Sequence, residues 1–177
     1  MWTRIAERFE KHWALAAALI VVFLTNIGMY FLDYGQTTLF TIFFLIKGAC
    51  FSALMILPLA MVADTVDIDT ALTGERRQGL FFAICTMIQK FSYAIGQGLP
   101  LILLGFIGFN AAGSNGPQEL YWLQVCYSIV PATTVGLAIV VVLRYSLTAE
   151  RQKEIKNYLE EKESNPAAKL PVFLQHQ

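Results

Sequence analysis

Residues 78 to 107 form an apolar stretch of thirty residues that holds no acidic residue and one charge, Lys90. A run this long reads as a single membrane-crossing helix, since about 20 apolar residues suffice. Helical spacing places Thr86, Lys90, Tyr93 and Gln97 on one face, with Gln89 beside them. At a rise of 1.5 Å per residue, Lys90 lies about 16 Å past Gly79, near the middle of a hydrocarbon layer about 30 Å thick. A lysine at that depth is costly and reads as a functional residue. The plainer alternative is a lysine near a helix end that snorkels to the surface. Depth argues against it.

The rest of the composition agrees with a membrane protein. Hydrophobic residues make up 56% of the 177 and charged residues 15%. Soluble domains run nearer about 45–50% and about 25%. The formal net charge is zero, so nothing points to nucleic acid. Cys50, Cys85 and Cys126 fall in different apolar segments without CxxC spacing, so neither a disulfide framework nor a zinc site is indicated. The two histidines, His12 and His176, stand near opposite ends. No catalytic constellation is present, and an enzyme is not expected.

Taken in order, residues 1–12 are amphipathic and charged, with Trp2, Ile5 and Phe9 on one face. They suit a surface helix leading into the membrane. Four spans are expected, at about 13–32, 39–63, 78–107 and 121–142, within a bundle over 13–145. The first is interrupted only by Thr25 and Asn26. The second contains Lys47, whose position near the span end suits snorkelling, and Pro58. Between the second and third spans, residues 64–77 read as a loop with four acids and two arginines. The tail over 146–177 is hydrophilic. Thr148 can cap a short helix with a narrow stripe of Ile155, Tyr158 and Leu159, ended by Asn165-Pro166. The last dozen residues carry no strong signal and are expected to be loosely held.

Eleven of the 13 basic residues flank one side of this four-span arrangement, and the opposite loops have none. The positive-inside rule therefore puts both termini and the 64–77 loop in the cytoplasm, and the chain in a cell (inner) membrane as a multi-pass protein. Lys47 and Lys90 lie inside spans, whereas none of the 13 acidic residues does. Buried lysines must find a carboxylate, lose a proton or line water. A carboxylate-bearing partner surface outside these residues is the sharper expectation. A homo-oligomer with a watery lumen, or a neutral Lys90, is the plainer one.

Met61-Val62-Ala63-Asp64-Thr65-Val66-Asp67, then Thr73-Gly74-Glu75-Arg76-Arg77-Gln78-Gly79-Leu80, then Gln89-Lys90, resembles the glycoside–pentoside–hexuronide:cation symporters. These are the melibiose permease-like branch of the major facilitator superfamily. Phe106-Ile107-Gly108-Phe109, the tail from Arg144 to Arg151 and the basic run Arg4 to Lys11 add to the resemblance, which maps onto spans nine to twelve of twelve. It implies an all-α fold, the last part of the carboxy-terminal bundle. It implies sodium or proton as coupling ion and a sugar or glycoside substrate. It also implies that Lys90 lies near the cation and sugar sites, beside carboxylates of a missing amino-terminal half, with Thr86 facing the sugar. Asp64, Asp67 and Arg76, with Arg77 beside them, match a cytoplasmic charged network that pairs the two halves. Cys85 stands where the family has a glutamine, and Ile68-Asp69-Thr70 where Tyr-Gly-Glu is common.

The stripe of Thr86, Gln89, Lys90, Tyr93 and Gln97 is thus expected to line a substrate and cation pathway, helix–helix packing being the alternative. Residues 64–77 are expected to act as a gate, an ordinary solvated loop being the alternative. The favoured whole reading is the carboxy-terminal portion of a cation-coupled sugar symporter that does not transport alone. Two others stand beside it: a four-span membrane scaffold or regulatory subunit, and a small homo-oligomeric transporter using Lys90.

Overall fold

The computed structural model describes residues 10–33, 35–145, 147–165 and 171–174. Five helices follow in order: α1 (Lys11–Tyr30), α2 (Thr37–Thr73), α3 (Gln78–Ile107), α4 (Pro117–Leu143) and α5 (Ala149–Ser164). A 3-10 turn, Val172–Leu174, comes last, and there is no strand among the described residues. The first four helices are long and apolar enough to cross a membrane, one for each expected span. The chain is an all-α, multi-pass membrane protein.

α1 is the centre of the bundle and packs on α2 and α4. Its Ala14, Leu15, Ala18, Leu19 and Val22 meet Cys50, Ala53 and Leu57 of α2, with Val135, Ala138 and Ile139 of α4 closing the far side. Small residues matter here because lipid tails are as apolar as leucine, so helices in a membrane gain from close van der Waals approach rather than from leaving water. Gly28 shows how close the approach becomes: a Cβ there would stand 3.0 Å from the Phe43 ring of α2.

α3 is built of the same kinds of residue yet buries none of them. It meets α2 and α4 only sparsely. It runs from Gln78 to Ile107, with Gly108 at φ 83° as the left-handed cap. Glycine holds such a conformation without the penalty a side chain would bring.

α2 departs from the loop expected over 64–77. The helix runs on through Thr73, and only Gly74 to Arg77 connect it to α3. No proline or glycine interrupts residues 59–73. The hydroxyls of Thr65, Thr70 and Thr73 donate to the carbonyls of Met61, Val66 and Asp69, so these side chains stay with the helix. Gly74, at φ 74°, ends it with its N–H on the Thr70 carbonyl.

The helical extension of α2 carries a second core. Ala71, Ile155, Tyr158 and Leu174 are buried together, with Ile68, Leu147, Leu159 and Phe173 around them. α5 is capped as expected by the Thr148 hydroxyl, which accepts from the Arg151 N–H. The expectation of a loosely held end does not extend to Val172–Leu174: Leu174 is buried and the Arg151 guanidinium lies 5.5 Å from the Phe173 ring centre. If this core faces water, each of its large side chains contributes about 1.5–3 kcal/mol by leaving it. Of the lead-in over 1–12, residues 1–9 lie outside the described residues; α1 begins at Lys11.

Candidate functional site

Three groups of polar side chains stand out, and two involve the intramembrane lysines. Lys90 is exposed on α3 and makes no hydrogen bond or ion pair with the described residues. It borders a groove of about 560 Å³ with Gly79, Phe82, Ala83, Thr86 and Met87. The small residues of that list hollow the helix face, and Phe82 and Met87 wall it. The Thr86 hydroxyl donates 2.7 Å to the Phe82 carbonyl, leaving its oxygen able to accept from a ligand.

The expected stripe is divided by the packing. Gln89 and Tyr93 turn towards α2: Gln89 Nε2 donates to Tyr93 Oη at 3.3 Å, and Tyr93 Oη donates to Met55 Sδ at 3.6 Å. Thr86 and Lys90 stay on the open groove, and Gln97 is exposed further along. The groove can offer an ammonium donor and a hydroxyl, which suits a carboxylate or a polyhydroxylated molecule.

Lys47 is held in a different way. It is half-buried, and its Nζ donates 2.7 Å to Asn26 Oδ1 of α1 and lies 5.3 Å from the Tyr127 ring centre of α4. Asn26 is completely buried, and its Nδ2 has no partner among the described residues. A neutral amide oxygen and a ring face thus take the place of a carboxylate for this lysine. Nearby, Phe40, Tyr121, Gln124 and Tyr127 line a mostly apolar cleft of about 650 Å³, with Asp33 at its rim.

The third group gathers at the end of the bundle where the basic residues lie. Asp64, 5% exposed, receives Lys11 Nζ at 2.7 and 2.8 Å on its two oxygens. Gln152 Nε2 donates to Asp64 Oδ1, and Gln152 Oε1 accepts from Lys11 Nζ at 3.1 Å. Asp67 is half-buried on the same extension. Arg77 is engaged locally: its Nη2 is 2.7 Å and its Nε 2.8 Å from Glu75 Oε2. That hydrogen bond and the Glu75 charge raise the Arg77 guanidinium further above its ordinary range. Arg76 is exposed on the short connection. Of the residues expected to form one gate, Asp64 therefore pairs with Lys11 and Arg77 with Glu75. Sequence reasoning missed Lys11 and Gln152 as partners of Asp64, and Asn26 as partner of Lys47. Asn26 left a trace, as a polar interruption of an apolar span. Gln152 left none. Among the described residues, no three His, Cys, Asp or Glu side chains converge as metal ligands would.

The family model of MFS/sugar transport proteins matches residues 1–149. The glucuronide carrier protein homolog of Escherichia coli K12 is 29% identical over 143 residues, 81% of this chain and 26% of that protein. A putative sulfoquinovose importer of Salmonella typhimurium is 33% identical over 137 residues, 73% of this chain and 29% of that protein. A symporter of Synechocystis is 24% identical over 171 residues, 93% of this chain and 31% of that protein. The chain thus spans less than a third of the length of these relatives. No solved structure matches. The chain belongs to the MFS/sugar transport protein family, among the glycoside–pentoside–hexuronide:cation symporters of the major facilitator superfamily.

Proposed function

We propose that these 177 residues are the carboxy-terminal portion of a cation-coupled sugar symporter of the alternating-access type, incomplete as a transporter by themselves. The observation that carries this reading is α3: an apolar helix that buries none of its residues while presenting Lys90 and Thr86 on an open groove. An exposed lysine at mid-span is costly against lipid, and it becomes reasonable when further helices bring a carboxylate or line a watery path. Relatives of which this chain matches less than a third have the room for such helices.

In the assembled protein Lys90 faces the pathway, with Thr86 beside it; Gln97 lies further along its wall, and Gln89 and Tyr93 brace that wall against α2. Asp64, Asp67, Arg76 and Arg77 form the cytoplasmic gate, trading partners between this bundle and the missing amino-terminal half. The substrate is a sugar or glycoside, and the coupling ion sodium or proton, held by carboxylates of that missing half. The protein lies in the cell (inner) membrane with both termini cytoplasmic.

The test is co-purification. The tagged chain is expressed in its native membrane, extracted in a mild detergent, and its companions identified by mass spectrometry. A stoichiometric partner with several spans and intramembrane carboxylates, restoring uptake with this chain, is the expected result. A chain that runs alone, as a self-associated oligomer, or with a partner lacking intramembrane carboxylates overturns the reading.

A further inference from the structure

The Lys11–Asp64–Gln152 triangle joins three elements that are distant in sequence: the start of α1, the extension of α2 and the first turn of α5. Gln152 uses both ends of its amide, accepting from Lys11 and donating to Asp64. The residue type fits the task. A carboxylate at 152 would face Asp64 with like charge, and an ammonium would face Lys11 in the same way. Asp64 itself is nearly sealed from solvent, so the loss of a donor there leaves a buried carboxylate short of a hydrogen bond.

The apolar part of the same contact is the core of Ile155, Tyr158 and Leu174 on Ala71, with Ile68 and Leu159 beside it. Beyond Ile155, Tyr158 and Leu159, α5 is dominated by charged and polar residues, and it is 16 residues long. Helices of about that length are marginal in water without a surface to pack on. Docking and helix formation are therefore one event, held by this core together with the triangle.

We propose that α5 is a releasable clasp, docked while a single carboxylate sits between Lys11 and Gln152 and freed when that charge pattern is broken. Docked, α5 adds Gln152 to the ion pair by which Lys11 ties the extension of α2 to the start of α1. Released, it uncovers that pair and lets another cation compete with Lys11 for Asp64. The consequence for gating rests on the proposed function of Asp64; the clasp itself does not.

The experiment is hydrogen–deuterium exchange of the whole 177-residue chain in micelles, read by mass spectrometry for residues 149–164. Gln152→Glu sets two carboxylates together and is expected to speed exchange in α5 about tenfold or more while α1 and α4 are unchanged. Combining it with Asp64→Asn moves the carboxylate from 64 to 152, gives Lys11 a partner again, and is expected to return α5 to within about threefold of the original rate. Equal exchange in Gln152→Glu and the unaltered chain overturns the clasp, and so does a double variant as fast as the single one. Both variants are polar changes at the end of the bundle, and the exchange of α1 serves as the control for folding. The gate reading fails separately, on the co-purification.

Discussion

Lys47 and Lys90 are both lysines within apolar helices, and the bundle treats them oppositely. Lys47 is tied to Asn26 of α1 and lies over Tyr127 of α4, so three helices share one charge. Lys90 stands on an open groove of a helix with no buried residue. The difference follows the packing around each. α1 is wrapped by neighbours and can bring a buried amide to its lysine partner; α3 has few neighbours to bring anything. A charge in a span is thus structural where the fold supplies a partner, and points to work outside the fold where it does not.

The comparison is broken or sharpened most by removing Lys90. In the proposed assembled symporter, Lys90→Ala is expected to cut uptake about 100-fold or more, about 2.7 kcal/mol in rate terms. It should leave the unfolding of this chain in micelles within about 0.5 kcal/mol. Lys47→Met is the converse. It leaves Asn26 Oδ1 buried without a donor and is expected to destabilise the bundle by about 1–2 kcal/mol, measured by denaturant unfolding in micelles. Lys90→Met should be neutral in the same measurement, and an equal loss for both lysines would erase the distinction.

A finer test adds Asn26→Leu to Lys47→Met. Once both partners are apolar, neither leaves the other stranded, and the double variant should be less damaged than the sum of the singles by about 0.5–1.5 kcal/mol. The smallest effect is expected from Tyr127→Leu, which keeps apolar volume near Lys47 but removes the ring face, at about 0.5–1 kcal/mol by the same unfolding measurement.

Much of the membrane architecture was legible in the sequence, because spans are set by run length. Residues 78–107 are bounded by Arg77 and Gly108, a charge and a glycine cap, and the helix ends there. The extension of α2 was not legible. Asp64, Asp67 and Asp69 gave residues 64–77 the composition of a loop, whereas the backbone had no breaker before Gly74. Lys90 could be singled out by its depth alone. The ties of Lys47 and Asp64 could not be read, since they depend on side chains 21, 53 and 88 positions away, brought close only by the fold. Leu174 escaped for the same reason: one leucine in a polar tail carries no period, and its burial depends on the surface that α5 and α2 make together.

The unbroken run of α2 makes it a lever. Lys47 and Asp64 ride on one helix, 17 positions or about 26 Å apart along its axis. Swinging that helix by about 10° with Lys47 as the fulcrum would carry Asp64 sideways by about 4–5 Å, enough to exchange one hydrogen-bond partner for another. Pro58 lies between them and cannot donate to the Leu54 carbonyl, so the arm has a soft joint nearer to Asp64 than to Lys47.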